Sequence, residues 1–168
     1  MQLPELAFAA DQQIVAAVQG IALPFDCEKR RVLFHQGDSA DCLYILRSGR
    51  ARLSSVIDES GFEVSFDAAP FSMLGLPGVL GTDPHAFTAI AGAGAQFDFV
   101  HRHDLHNLLA SDPALALSVL RALATSVITV RSAIFLRIGT LTGPSGIVNH
   151  PAPQPPHFRS GGPSASSI

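Results

Sequence analysis

Three histidines close together, His101, His103 and His106, are the first candidates for chemistry in this sequence. With Asp104 they form a short run of side chains that can bind a transition metal. A stable site also needs further ligands at suitable geometry, and histidines at the start of a predicted helix are more commonly solvated. We therefore predict no metal site.

A second candidate is the pair Ser72 and His85, which lie in one glycine-rich segment and could serve as nucleophile and base. Such a pair is common in proteins, and no two carboxylates accompany it. We predict no catalytic residue and no enzyme activity.

The two cysteines, Cys27 and Cys42, are too few for the four ligands of an iron-sulfur cluster. The N-terminus does not have the pattern of a signal peptide, because Glu5 and Asp11 interrupt it. We therefore expect a cytoplasmic protein with reduced thiols. No uncharged apolar run approaches the roughly 20 residues that cross a bilayer, so we expect no membrane partner.

The chain has 168 residues, of which 47% are hydrophobic and only 15% charged, and its formal net charge is -3. This length suits one domain. A single lysine, Lys29, and a net negative charge argue against a surface built to bind phosphate backbones, so we expect no DNA binding by this chain alone.

The elements that must position the candidate residues are short strands. Helical spacing predicts a helix over residues 11–19, and alternating apolar and polar residues then predict antiparallel strands. These strands cover residues 32–35, 42–46, 50–55, 62–67, 86–91 and 95–100. The intervening segment 71–84 predicts a loop with one helical turn, with Pro77 at its start and Gly81 at its exit. Regularly spaced short strands indicate a barrel or roll.

Helical spacing returns after Arg102, with a short helix to about Ala110 and a long helix that is capped by Asp112 and begins at Pro113. Apolar residues in the long helix follow a heptad pattern, which suits either a dimer seam or packing on the protein's own barrel. We favour a homodimer whose seam is Leu120, Leu123, Val127, Val130 and Ile134. The predicted domain spans residues 1–138, and the Gly/Pro/Ser-rich tail, 139–168, is predicted to be disordered.

Two motifs carry a family resemblance. The first is Leu33-Phe34-His35-Gln36-Gly37-Asp38 with Leu43-Tyr44-Ile45-Leu46-Arg47-Ser48-Gly49-Arg50-Ala51-Arg52-Leu53, and the second is Leu74-Gly75-Leu76-Pro77-Gly78-Val79-Leu80 with Ala86-Phe87-Thr88-Ala89. Over about residues 11–138 the chain resembles the cyclic nucleotide-binding domain of Crp/Fnr-type regulators. The resemblance implies a mainly β protein with flanking helices, in which a double-stranded antiparallel, jelly-roll-like β-roll precedes a long C-terminal dimerisation helix. It also implies that Gly37 and Gly49 occupy the roll's corners, and that the ligand is cAMP or cGMP.

In that family the segment around the short helix is a phosphate-binding cassette. The resemblance places it at Gly75, Leu76, Gly78, Val79, Leu80, His85, Ala86, Phe87 and Thr88. Leu76 stands where the family has a glutamate for the ribose, and the arginine position falls at or beside Ala86. No Lys or Arg occurs from Gly61 to His101, which leaves His85 as a partial replacement for the cation. The long helix would face the ligand through Thr129 and Arg131.

These features predict a non-catalytic sensory or regulatory domain in which a small-molecule effector in the roll is coupled to the dimer helix. The degenerate cassette predicts weak cyclic nucleotide binding. Three alternatives stay open: an apolar or neutral effector, a ligand-free dimerisation adaptor, and a truncated transcription factor that has lost its DNA-binding domain. The third arises because full regulators of this type carry a winged helix-turn-helix after the long helix.

Overall fold

The structure, a computed structural model, describes residues 2–3, 12–57 and 61–141. The predicted tail therefore lies almost wholly outside the described residues. Helix α1 (Gln12–Gln19) opens the domain and buries Ile14, Val15 and Val18, as its apolar spacing predicts.

Nine strands form two sheets within these described residues. They are β1 (Gln2–Leu3), β2 (Leu23–Cys27), β3 (Arg31–Phe34), β4 (Cys42–Ser48), β5 (Ala51–Val56), β6 (Glu63–Ala68), β7 (Met73–Leu74), β8 (Thr88–Ala91) and β9 (Ala95–His101). The first sheet has the order β1-β6-β5-β8-β3 and the second has the order β2-β9-β4-β7. All pairings are antiparallel except that of β1 with β6. The predicted β-roll is confirmed.

The two sheets enclose an inner core. Ala51 and Leu53 are buried while Arg52 between them is exposed, and Phe66 and Phe97 are fully buried in the same cluster. This alternation is what the period-two pattern predicts, because successive side chains of a strand point to opposite faces.

Helices α2 (Leu76–Leu80), α3 (Arg102–Ser111) and α4 (Pro113–Leu141) complete the fold. A second apolar cluster joins them to α1 and the second sheet, with Leu43, Ile45 and Leu105 fully buried. The carboxylate of Asp112 accepts a hydrogen bond from the backbone N–H of Leu115 at 3.0 Å, so the predicted cap is confirmed. Helix α4 continues to Leu141, three residues past the predicted end.

Three strands escaped the sequence prediction: β1, β2 and β7. Strand β2 contains Pro24 and is largely exposed, so it has neither the composition nor the alternation of a typical strand. It lies at a sheet edge, where proline is tolerated because one side of the strand needs no ladder hydrogen bonds. Strand β7 has only two residues and also lies at an edge. The strand predicted from residue 86 begins only at Thr88.

Three of the five residues in the predicted dimer seam on α4 pack against the domain itself. Val130 is 9% exposed in the core of the roll, Ile134 packs against that core, and Leu123 packs against the second cluster. Only Leu120 and Val127 of the predicted seam are largely exposed. Sequence spacing could not separate two apolar stripes that wind along the same helix.

The exposed large apolar residues of α4 form the second stripe. They are Leu117, Leu120, Val127, Ile128 and Phe135. The segment Pro113–Ser132 has a mean hydropathy of 1.7 and is long and apolar enough to cross a membrane, by length and composition alone. Arg121 and Arg131 interrupt it, and one such helix is weak evidence for a membrane span.

Candidate effector-binding site

A cavity of about 480 Å³ lies between the cassette and α4. Three parts of the fold supply its walls: the inner face of the roll, the segment around α2, and one side of the long helix. The lining residues are Phe34, Leu53, Ile57, Met73, Gly75, Pro77, Gly78, Asp83, Pro84, His85, Ala86, Phe87, Val127, Val130, Arg131, Ile134 and Phe135. Such a volume is typical of small-molecule sites.

The lining is mostly apolar. Asp83, His85 and Arg131 are the only titratable side chains that the described part of the chain contributes to it. The formal charges of Asp83 and Arg131 oppose each other. Any charged ligand group therefore has one favourable partner and one unfavourable one.

The cassette begins at Gly75, whose φ of 90° lies in the left-handed region that favours glycine. A Cβ at this position would come within 2.8 Å of Cε1 of His85, so glycine is also required sterically. Helix α2 then has Pro77 in its first positions and ends at Gly81, whose N–H donates to the carbonyl of Pro77 at 3.0 Å. The predicted single helical turn is confirmed.

His85 does not have the environment of a replacement cation. Its side chain is 5% exposed and stacks on Phe34, with ring centroids 3.7 Å apart. Burial lowers the pKa of His85 below its ordinary value, and the nearby carboxylates of Asp38 and Asp41 oppose this only in part. Burial therefore favours the neutral imidazole over the imidazolium. A neutral ring does not supply the charge of the missing arginine, so this environment does not favour the predicted replacement.

The predicted cassette residues separate into two groups. Gly75, Gly78, His85, Ala86 and Phe87 line the cavity. The other four do not: Leu76, Val79, Leu80 and Thr88. The first three of these pack in the second apolar cluster, and the Thr88 hydroxyl accepts a hydrogen bond from the backbone N–H of Gln36 at 2.9 Å.

The two predicted ligand-facing residues of α4 also differ. Arg131 lines the cavity, and its guanidinium lies 5.4 Å from the ring centre of Phe135. Thr129 is exposed, and its hydroxyl donates to the carbonyl of Thr125 at 2.9 Å instead of facing the cavity. Sequence reasoning missed Phe34, Met73 and Phe135 in the lining, because their distant segments meet only in the folded roll.

The histidines near α3 are engaged separately. His106 Nε2 lies 2.8 Å from the carbonyl oxygen of Val79, and His103 Nε2 lies 3.0 Å from the side-chain amide nitrogen of Asn107. Among the described residues no group of three His, Cys, Asp or Glu side chains could hold a metal ion.

Sequence reasoning also missed a Cys–His pair. Strand pairing places Cys42 opposite His101, with Sγ 3.4 Å from Nδ1. Burial and the neighbouring Asp41 raise the pKa of Cys42, which favours the thiol over the nucleophilic thiolate. The other pair considered for catalysis is not formed, since the hydroxyl of Ser72 is buried without a hydrogen-bond partner in the described part of the chain.

The fold is a β-roll flanked by a one-turn helix and a long C-terminal helix. Residues 25–112 of the chain match the family model of the cyclic nucleotide-binding domain, and this match covers more than half of the chain. The chain therefore belongs to the cyclic nucleotide-binding domain family.

Solved structures share this fold. The N-terminal domain of a transcriptional regulator from Streptomyces coelicolor A3(2) is 24% identical with a TM-score of 0.55, over 73% of this chain and 88% of that one. The catabolite activator protein of Thermus thermophilus is 20% identical with a TM-score of 0.61, over 79% of this chain and 60% of that one. The regulatory domain of Toxoplasma gondii PKA, solved with cAMP, is 24% identical with a TM-score of 0.50, over 61% of this chain and 40% of that one. No curated protein sequence matches the chain.

Proposed function

We propose that this chain is a non-catalytic sensory domain. An effector that binds in the roll shifts the long helix α4, and this shift changes the surface that a partner recognises. The observation that carries the proposal is the shared cavity. Gly75 and Ala86 of the cassette face the same space as Val130 and Arg131 of α4. A ligand that contacts both elements changes their relative position, because it stabilises the arrangement it binds best.

Cyclic nucleotides are weak effectors under this proposal. Ala86 offers no charge to a cyclic phosphate, and neutral His85 does not replace it. Leu76, at the family's glutamate position, is 4% exposed in the second cluster and offers no acceptor to a ribose hydroxyl. Each lost charge-assisted hydrogen bond costs about 1.5 to 3 kcal/mol, so the two together reduce affinity by about two to four orders of magnitude.

Titration of the full chain with cAMP and cGMP tests the ligand site. Ala86→Arg restores the cation at an exposed position of the cavity lining, so we expect it to raise cyclic nucleotide affinity by about 10- to 100-fold. Thr82→Arg adds the same charge at an exposed position outside the lining and is the matched control. Micromolar binding by the unaltered chain, or equal gains in both variants, would contradict the degenerate cassette.

Hydrogen exchange tests the coupling to α4. When Ala86→Arg is saturated with cyclic nucleotide, we expect slower amide exchange in residues 127–135, the part of α4 that contributes residues to the cavity lining, and unchanged exchange in α1. Unchanged exchange throughout α4 would contradict the sensory mechanism.

The proposed partner is a second copy of the chain in the cytoplasm. The exposed stripe of α4, with Leu117, Leu120 and Ile128, is apolar surface that a second α4 would remove from water. Val127 and Phe135 belong to the stripe and also line the cavity. Dimerisation would therefore place the partner's helix beside the effector site. DNA binding by this chain alone is not part of the proposal.

A second candidate function is a ligand-free dimerisation adaptor. The apolar stripe on α4 favours it, because burying that surface requires no effector. Native mass spectrometry of the purified chain separates the two functions. A bound small molecule supports the sensory domain, whereas a bare dimer that also fails every titration supports the adaptor.

A further inference from the structure

We propose that the effector of this cavity is a monoanion with an apolar body, an aryl or alkyl carboxylate whose acid group lies against Arg131. This inference rests on the proposed function, since it assumes that the cavity is an effector site. It goes further by naming the chemical class of the ligand and the residue that selects it.

The walls favour an apolar body. Phe34 and His85 form one stacked surface, and Phe87 contacts Phe66 edge-on with ring centroids 5.3 Å apart. Leu53 and Met73 extend this apolar surface. The many hydroxyl and amine groups of a nucleoside would lose water here for few hydrogen-bond partners, because Asp83, His85 and Arg131 are the only titratable side chains of the described lining, and this is unfavourable. An aromatic ring or alkyl chain makes no such hydrogen bonds with water and therefore has none to lose.

Arg131 favours an anionic head group. It supplies the one cation of the lining within the described residues, and its guanidinium lies over the ring of Phe135. The ion pairs of the described residues involve Arg47 and Arg52, so none occupies Arg131. A guanidinium matches the two oxygens of a carboxylate in a bidentate arrangement.

Asp83 limits the charge of the ligand. It lies in the lining on the loop that follows α2 and repels each negative charge that a ligand carries, so a second charge adds a cost that the single cation Arg131 does not offset. A carboxylate with one charge therefore fits the cavity better than a phosphate monoester, which carries close to two.

Calorimetric titration of the full chain tests the ligand class with matched pairs of probes: 2-naphthoate against 2-naphthalenemethanol, and octanoate against octanol. We expect the carboxylates to bind more tightly than the alcohols. Arg131→Met should weaken carboxylate binding by about 10- to 100-fold and leave alcohol binding unchanged. Arg121→Met, on an exposed part of α4 outside the lining, is the matched control and should change neither.

Ala86→Trp checks that the probes bind in the cavity, because it fills the cavity from an exposed position. We expect it to abolish probe binding. Retained binding would place the probes elsewhere, for example on the α4 stripe, and would overturn the inference.

Other outcomes separate this inference from the function on which it rests. Equal binding of acids and alcohols, unaffected by Arg131→Met, would overturn the ligand class and keep the effector cavity. Micromolar binding of cAMP or cGMP with no binding of the carboxylates would do the same. Failure of every probe and nucleotide, in both the unaltered chain and Ala86→Arg, would overturn both proposals.

Discussion

Gly75 and His85 show how closely single residues of the cassette depend on one another. The imidazole occupies the space in which a side chain at position 75 would lie, and the stack on Phe34 holds it there. His85 is also tied by its backbone, since its N–H donates to the carbonyl of Asp38 at 2.9 Å and its carbonyl accepts from the N–H of Gly37 at 2.8 Å. A substitution at one of these residues therefore disturbs the packing of the others.

Gly75→Ala should destabilise the fold more than Gly37→Ala. Both glycines have a φ near 90°, so both substitutions incur the left-handed backbone cost of about 1 to 2 kcal/mol. Only at position 75 would the new Cβ meet another atom, Cε1 of His85 at 2.8 Å, whereas position 37 has nothing within 4 Å. Overpacking adds about 1 to 3 kcal/mol. Urea unfolding measures the loss of stability in Gly75→Ala and in Gly37→Ala. Equal losses in the two variants would show that the contact with His85 relaxes at no cost.

The stability of the protein should depend on the titration of His85. Because burial lowers its pKa in the folded state, the unfolded chain binds a proton that the folded chain does not as the pH falls below about 6.5. The contribution of neutral His85 is thus complete above that pH and lost progressively below it.

Unfolding in urea at pH values from 7 to 5 checks this dependence. The free energy of unfolding should fall more steeply for the unaltered chain than for His85→Phe, which keeps a ring against Phe34 but cannot be protonated. Parallel curves for the two proteins would mean that His85 titrates alike in both states.

At the scale of elements, an ion-pair network joins α1 to the second sheet. Arg47 on β4 lies 3.2 Å from a carboxylate oxygen of Asp98 on β9 and 3.3 Å from one of Asp26 on β2. Gln19 at the end of α1 donates to the other oxygen of Asp98 at 2.9 Å. Asp98 is 8% exposed, so its charge depends on these partners.

Arg47→Met should destabilise the protein by about 1 to 3 kcal/mol, because among the described residues it leaves the buried carboxylate of Asp98 with the amide of Gln19 as its one side-chain partner. Arg52→Met removes an ion pair with Asp67 on an exposed sheet face and should have a much smaller effect, since solvent screens that pair. Chemical unfolding measures the free energy of unfolding of both variants. The double variant Arg47→Met/Asp98→Asn should recover part of the loss, and full additivity would show that the pair is not coupled.

At the scale of the whole molecule, α4 presents three faces. One packs on the domain through Leu115, Val119 and Val130. The second is the exposed apolar stripe, and the third is polar and exposed. The third face carries Ser118, Arg121, Thr125, Thr129 and Ser132. An isolated domain needs an apolar face toward its core and a polar face toward solvent, so the apolar stripe is the face that we propose a second copy covers.

Ile128→Glu should convert a dimer into a monomer. Ile128 is 65% exposed on the apolar stripe and does not line the cavity, so the substitution puts a charge into the proposed interface and leaves the domain core intact. Thr125→Glu adds the same charge to the polar face and should leave the dimer unchanged.

Light scattering at tens of micromolar measures the mass of each variant. We expect twice 17.7 kDa for the unaltered chain and for Thr125→Glu, and 17.7 kDa for Ile128→Glu. A monomeric unaltered chain at this concentration would contradict the dimer.

Local features of this protein were determined by its sequence. Alternation in Ala51–Val56, the turns at Gly37 and Gly49, and the Asp112 cap are visible as residue types at local spacings, so their patterns predicted the elements correctly. The sequence also showed that uncharged residues, Leu76 and Ala86, stand where the cassette would have charged ones, because residue type is independent of packing.

The tertiary structure decided which partner each side chain meets. It selected Val130 for the core and left Ile128 exposed, although the two are apolar residues of one helix. It turned Leu76 away from the cavity, and it buried His85 so that its pKa falls. Burial and charge state depend on residues that are distant along the chain, and these come together only when the two sheets and α4 pack.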